Sequence, residues 1–159
     1  AESYPKIGAK EAYIDAFTMW LVRDPEDLDV VVLPNMFGDI ATDLASVLQG
    51  GMGMAASANL GDKHMMFEPV HGSSPKHAGK NRVNPIAMLS SLQLMLENLS
   101  LRHDDPLLDK YGNILQQAIS QHLSSDGPKT YDIGGTGTTS EVGDAIADRV
   151  RRLLRNDKA

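Results

Sequence analysis

The chain has 159 residues, 42% of them apolar and 23% charged, and 15 basic side chains set against 21 acidic ones leave a formal net charge of −6. That suffices for one ordinary domain or two small ones, and excludes a disordered tail and a collagen. The acid excess argues against a general nucleic-acid binder, and the lack of cysteine removes disulfides, thiolate zinc sites, iron–sulfur clusters and thiol nucleophiles, so any metal must rest on oxygen or imidazole.

The order of apolar patterns reads as strands alternating with helices, an α/β arrangement. Ala16 to Val22 has helical spacing that Pro25 ends. Leu28 to Leu33 is β-branched and nearly all apolar, the pattern of a strand covered on both faces. Its run Val30-Val31-Val32-Leu33 falls far short of the roughly 20 residues of a membrane span. Phe37, Ile40, Leu44, Val47 and Leu48 recur at helical spacing, with Gly50-Gly51 as the stop. Gly50 to Gly61, rich in glycine, alanine and serine, reads as a loop or hinge between two domains. Met65 to Val70 reads as a short strand. Three helices follow: one from Pro85 carrying Ile86, Leu89, Leu92, Leu96 and Leu99, one over Pro106 to His122, and one over Glu141 to Leu154, started by the hydroxyl run at 138–140. Arg149, Arg151, Arg152 and Arg155 fall at the end of the last helix, where cations complement its dipole. The opening Ala1-Glu2-Ser3-Tyr4-Pro5 has no basic stretch followed by an apolar one, so a cytoplasmic address is the expectation.

Two features carry chemistry. Asp39 and Asp43 stand four residues apart on the Phe37–Leu48 helix and share a face to the side of its apolar stripe. Like charges at this spacing cost a helix roughly 0.2–0.5 kcal/mol, and no lysine or arginine lies between Asn35 and Gln49 to relieve them. The pair reads either as two solvated carboxylates or as part of a hard-cation site, since Mg²⁺ and Mn²⁺ prefer carboxylate oxygens. The second feature is Glu68 to Pro85, which packs two glycines, three prolines, two histidines and three cations between a strand and a helix. Small residues let a ligand approach the backbone, and Lys76, His77, Lys80 and Arg82 offer groups that pair with phosphate. The segment is neither GxGxxG nor a Walker loop, so composition alone leaves a nucleotide cradle and a flexible surface loop equally open.

Taken together, Tyr13-Ile14-Asp15-Ala16, Asn35-Met36-Phe37-Gly38-Asp39-Ile40, Asp43-Leu44, Glu68-Pro69-Val70-His71-Gly72-Ser73, Ala78-Gly79-Lys80, Asn84-Pro85 and Asp132-Ile133-Gly134-Gly135 resemble the isocitrate/3-isopropylmalate dehydrogenase family in order and spacing. The resemblance runs over nearly the whole chain and favours the sharper reading of both features. It implies an α/β fold of that family's type, here a C-terminal portion with a mixed sheet flanked by helices. Residues 1–50 would be part of the smaller, dimer-forming domain and 51–159 part of the larger cofactor-binding one.

The function it implies is oxidative decarboxylation of a 2-hydroxy acid, isocitrate or 3-isopropylmalate, with homoisocitrate or tartrate-like acids as other substrates and hydride passing to NADP or NAD. Asp39 and Asp43 match metal ligands from one subunit and Asp15 a ligand offered to the partner subunit's Mg²⁺ or Mn²⁺, which implies a homodimer with shared sites. His71, Gly72, Ser73, Ser74, Pro75, Lys76, His77 and Asn84 match the cofactor loop, and Tyr131 matches a tyrosine near the cofactor phosphate. NAD-using members carry an acidic residue after the position of Pro75. Lys76-His77 stands there instead and favours NADP, while Gly135, in place of an arginine common among NADP users, weakens that preference. The family's substrate arginines, catalytic tyrosine and lysine are expected upstream of Tyr4, since Lys6 and Lys10 sit too close to Asp15, so no catalytic acid or base is assigned. A chain of this length alone is expected to be inactive. The other reading is a non-catalytic interaction or regulatory remnant of the family.

Overall fold

A computed structural model of the chain describes residues 3–157 and divides at Ala45/Ser46 into two compact units. The first unit is built from two helices, α1 (Ile14–Arg23) and α2 (Asn35–Ser46). Asp24 ends α1 by donating its amide to the Trp20 carbonyl at 2.8 Å, and Pro25, which cannot continue the helix, opens a single 3₁₀ turn. The apolar stripes of both helices meet in a small core of Phe17, Leu21 and Ala41, joined by Ile14, Leu28, Leu33 and Leu44.

Leu28 to Leu33 is not a strand. The segment runs without regular structure, and its two ends turn into this core while Val30 and Val32 stand 82% and 90% exposed. A strand is defined by the ladder it makes with a neighbour, and no described residue pairs with this one. The β-branched composition is present and the partner is not.

In the second unit, a 3₁₀ turn over Val47–Gln49 is stopped by Gly50, whose φ of 101° suits a residue without a side chain. The expected loop from Gly50 to Gly61 is only half loop: Ala56–Leu60 forms strand β1, pairing antiparallel with β2 (Met65–Pro69) in the register Ala56↔Pro69 to Leu60↔Met65. These two strands are the only sheet among the described residues, so the expected mixed sheet is an antiparallel hairpin and the structure is mostly helical. Small residues in β1 concealed it, because their pattern is that of a turn until a partner strand supplies the hydrogen bonds.

Against the hairpin lies α3 (Ile86–His103), which also packs on α4 (Pro106–Leu123), and α4 packs on α5 (Thr139–Asn156). Helix α3 is apolar on more than one side because it has both a sheet and a helix to cover. It ends at Asp104 in a left-handed conformation, φ 51°, and Asp105 then caps α4 by accepting the Leu107 amide ahead of Pro106. Thr138 and Glu141 form a reciprocal capping box at the start of α5. The core of this unit is Ile86, Leu115, Ala118, Ile119, Val142 and Ile146, where each large side chain contributes roughly 1.5–3 kcal/mol by burial. Among the described residues no helix is long and apolar enough to cross a membrane.

Candidate cofactor and metal sites

Between β2 and α3 the chain is a built loop. Ser74, in a left-handed conformation at φ 44°, starts a 3₁₀ turn over Pro75–His77, and the His77 amide donates to the Ser74 carbonyl at 2.9 Å. Ser74 Oγ and His77 Nδ1 lie 2.9 Å apart, which fixes the imidazole. That ring stacks on Tyr131, 54 residues further along, with centroids 6.1 Å apart and planes 19° from parallel. The Arg82 guanidinium carbon stands 4.2 Å from the centre of the same tyrosine ring, a cation–π contact.

The far end of the loop is tied to α5. Asn81, another left-handed residue at φ 48°, accepts the Ser140 amide and hydroxyl on Oδ1, both at 3.0 Å, and its carbonyl takes the Thr139 amide at 3.1 Å. Thr139 also donates its hydroxyl to the Val83 carbonyl at 2.5 Å. Asn84 is buried: its Oδ1 accepts the Ile86 amide at 3.0 Å and its Nδ2 donates to Asp132 at 3.0 Å. The side chain expected to meet a cofactor is thus engaged in holding the loop to the start of α3 and to the Tyr131 segment. His71 lies apart from this cluster, exposed, its Nδ1 2.9 Å from the Gly72 carbonyl oxygen. Gly72 and Ser73 are exposed beside it, and Ser74, Pro75 and Lys76 are exposed around the turn.

Electrostatically, residues 71–85 hold Lys76, Lys80 and Arg82 and no carboxylate, and none of these cations forms a salt bridge among the described residues. The loop is therefore a cationic surface beside an aromatic ring, suited to an anionic, ring-bearing ligand. Gly135 adds a constraint: a Cβ there would stand 2.0 Å from the Lys129 carbonyl oxygen, so no side chain fits without moving the backbone. An arginine, which the resemblance would place here in an NADP user, has no room. The contact of Arg82 with Tyr131 and the bond of Asn84 to Asp132 were not legible in the sequence, since no periodicity links positions so far apart.

The expected metal ligands all lie in the first unit. Asp15 sits in the first turn of α1, exposed, and accepts the Ala16 amide at 2.8 Å. Asp39 and Asp43 are exposed one turn apart on α2, and Asn35 Nδ2 approaches Asp39 at 3.4 Å. No three acidic or histidine side chains gather as a metal cage among the described residues. Two hard oxygen donors on one helix face suit a Mg²⁺-like ion as a partial ligand set.

Comparison with known proteins decides the family. The family model described as isocitrate/isopropylmalate dehydrogenase matches residues 1–146. The chain belongs to the isocitrate/isopropylmalate dehydrogenase family. It is 43% identical over 151 residues to a 3-isopropylmalate/3-methylmalate dehydrogenase of Methanocaldococcus jannaschii, covering 95% of this chain and 43% of that protein. A probable tartrate dehydrogenase/decarboxylase of Bacillus subtilis is 42% identical over 156 residues, 96% of this chain and 42% of its own. Among solved structures, isocitrate dehydrogenase from Methylococcus capsulatus superposes with a TM-score of 0.85 at 35% identity, over 94% of this chain and 43% of that one. The chain thus spans about two fifths of the length of the dehydrogenases it matches.

Proposed function

We propose that this chain is the C-terminal portion of a metal-dependent β-decarboxylating dehydrogenase that oxidises a 2-hydroxy acid, isocitrate or 3-isopropylmalate, with homoisocitrate and tartrate-like acids as other candidates, and passes hydride to NADP. Family membership supports the reaction class, and one observation supports the cofactor: the loop from His71 to Asn84 is cationic, free of carboxylates and anchored against Tyr131. An acidic residue at Lys76 would accept hydrogen bonds from ribose hydroxyls and repel a 2′-phosphate, whereas a lysine pairs with the phosphate.

In this reading Lys76 and His77 hold the ribose phosphate, with Tyr131 beside it. His71, the small residues Gly72, Ser73, Ser74 and Pro75, and the backbone at Asn84 line the adenosine portion. Asp39 and Asp43 of one subunit, with Asp15 of a second copy, hold Mg²⁺ or Mn²⁺ in a homodimer. Residues 1–50 form part of the dimerisation domain and 51–159 part of the cofactor domain. When bound, the cation supplies Lewis-acid stabilisation for oxygen charge that develops during oxidation and loss of carbon dioxide, and the nicotinamide takes the hydride. The residues of this chain bind and orient these groups, and we assign none of them a proton-transfer role.

The test is a turnover assay of the full-length protein against isocitrate, 3-isopropylmalate, homoisocitrate and tartrate, each with Mn²⁺ and with NADP or NAD. Reduction of NADP accompanied by release of carbon dioxide from one of these acids is the expected result. Cofactor binding with no turnover of any acid overturns the enzymatic reading in favour of a non-catalytic family member.

A further inference from the structure

The C-terminal end of α4 carries a buried polar cluster that neither candidate site uses. His122 is fully buried, and among the described residues neither ring nitrogen makes a well-formed hydrogen bond, the Pro128 backbone lying nearest; Thr130 Oγ1 and Arg149 Nε are buried without a partner among the described residues as well. The imidazole lies beneath the segment that follows α4: a Cβ on Gly127 would stand 3.4 Å from its Cε1 and 3.5 Å from its Nδ1. Ser125 closes this cover, donating its hydroxyl to the His122 carbonyl at 2.8 Å and accepting Arg149 Nη2 from α5 at 2.6 Å. Further along, the segment is folded back on itself by the Gly135 amide on the Thr130 carbonyl at 2.9 Å and the Gly137 amide on the Lys129 carbonyl at 2.7 Å. Between these bonds it presents Tyr131.

The surroundings of the ring are one-sided. Lys129 faces it from the segment and Arg149 from α5. From α3, the side chains packed at this end of α4 include Ile86, Leu89 and Ser90, all neutral. The carboxylates of Asp126 and Glu141 line a solvent-open hollow of about 500 Å³ between the segment and the start of α5. Burial first, then Arg149 and Lys129, hold the His122 pKa below the ordinary histidine value, against an opposing pull from the Pro128 backbone.

We propose that His122 is a proton-operated latch beneath residues 124–137. As a neutral ring it fills the space under the segment and keeps it closed. As an imidazolium, buried away from water with two cations beside it and only the Pro128 backbone to oppose them, it drives the segment open and brings itself into water. The open state binds the proton at the ordinary value and the closed state at a lower one. Closure is therefore fully stable above the ordinary histidine range, weakens as pH falls toward the lowered value, and stays weakened below it. Because Tyr131 rides on this segment, acidification loosens its contacts with His77 and Arg82.

Amide hydrogen exchange over residues 124–137 of the full-length protein, corrected for intrinsic rates and followed from about pH 7.5 to about pH 5, tests this. The expected result is an opening that is level above the ordinary histidine value and rises below it, by at most about tenfold per unit of pH. In His122→Gln the rise disappears. In Lys129→Gln, which removes one opposing cation at a half-buried position, the rise levels off at a higher pH and a smaller amplitude. A flat wild-type profile, or a rise that survives in His122→Gln, overturns the latch, as does a rise that vanishes in His77→Gln instead. Should His122→Gln fail to fold, an unchanged amplitude in Lys129→Gln overturns it alone.

Discussion

Asn84 reaches Asp132 across 48 residues of sequence, donating its Nδ2 to the carboxylate at 3.0 Å while its Oδ1 takes the Ile86 amide. One buried amide thus joins the candidate cofactor loop, the first turn of α3 and the Tyr131 segment. Asn84→Ala leaves the Ile86 N–H without its acceptor, and we expect a loss of roughly 1–3 kcal/mol. Chemical denaturation of the wild type and variant measures it, and a difference within about 0.5 kcal/mol shows the bond to be dispensable.

Gly135 has no space for a side chain because the Lys129 carbonyl occupies it. Gly135→Ala is expected to cost about 1–3 kcal/mol through forced backbone movement. Gly135→Arg, which restores the family arginine, should lower thermal stability without tightening NADP binding. Tighter binding in that variant would show that the segment accommodates the side chain after all.

Lys76 is exposed at the tip of a loop that has no carboxylate. If it pairs with the 2′-phosphate, Lys76→Asp should shift the ratio of NADP to NAD affinity toward NAD by on the order of tenfold to a hundredfold. Parallel titrations with the two cofactors read this out. An unchanged ratio, or a wild-type preference for NAD, rules out that role.

Asp39 and Asp43 present two carboxylates on one exposed face of α2. Replacing Asp43 by asparagine keeps the shape and removes a charge, and Mn²⁺ affinity of the full-length protein should fall by at least about tenfold. Calorimetric titration of the metal decides, and an unaltered affinity takes Asp43 out of the ligand set.

The capping box of α5 makes a pH-dependent contribution. Hydrogen bonds from the Thr138 amide, then from its hydroxyl, hold the Glu141 pKa below its ordinary value of 4.5. Its stabilising effect is therefore complete above the ordinary value and is lost as pH falls through the lowered one. Glu141→Gln should melt earlier than the wild type at neutral pH, and the two melting curves should converge in acid. A gap that persists in acid would assign the effect to shape rather than charge.

By itself, the sequence determined the helices and the family. Apolar spacing, Pro25, Gly50, Pro106 and the Thr138 cap are local signals, each acting within a turn or two of chain, so they can be read in order. Of the strands, Met65–Pro69 was legible in its own residues and the rest was not. Ala56–Leu60 became one because Met65–Pro69 lies opposite, and the more strand-like Leu28–Leu33 did not, for want of a neighbour. The contacts of Arg82 and His77 with Tyr131, the closed space at Gly135 and the burial of His122 likewise depend on residues distant in sequence. Only the tertiary structure decided them, because a ladder, a stacked ring or a filled volume belongs to a pair of surfaces and not to either one alone.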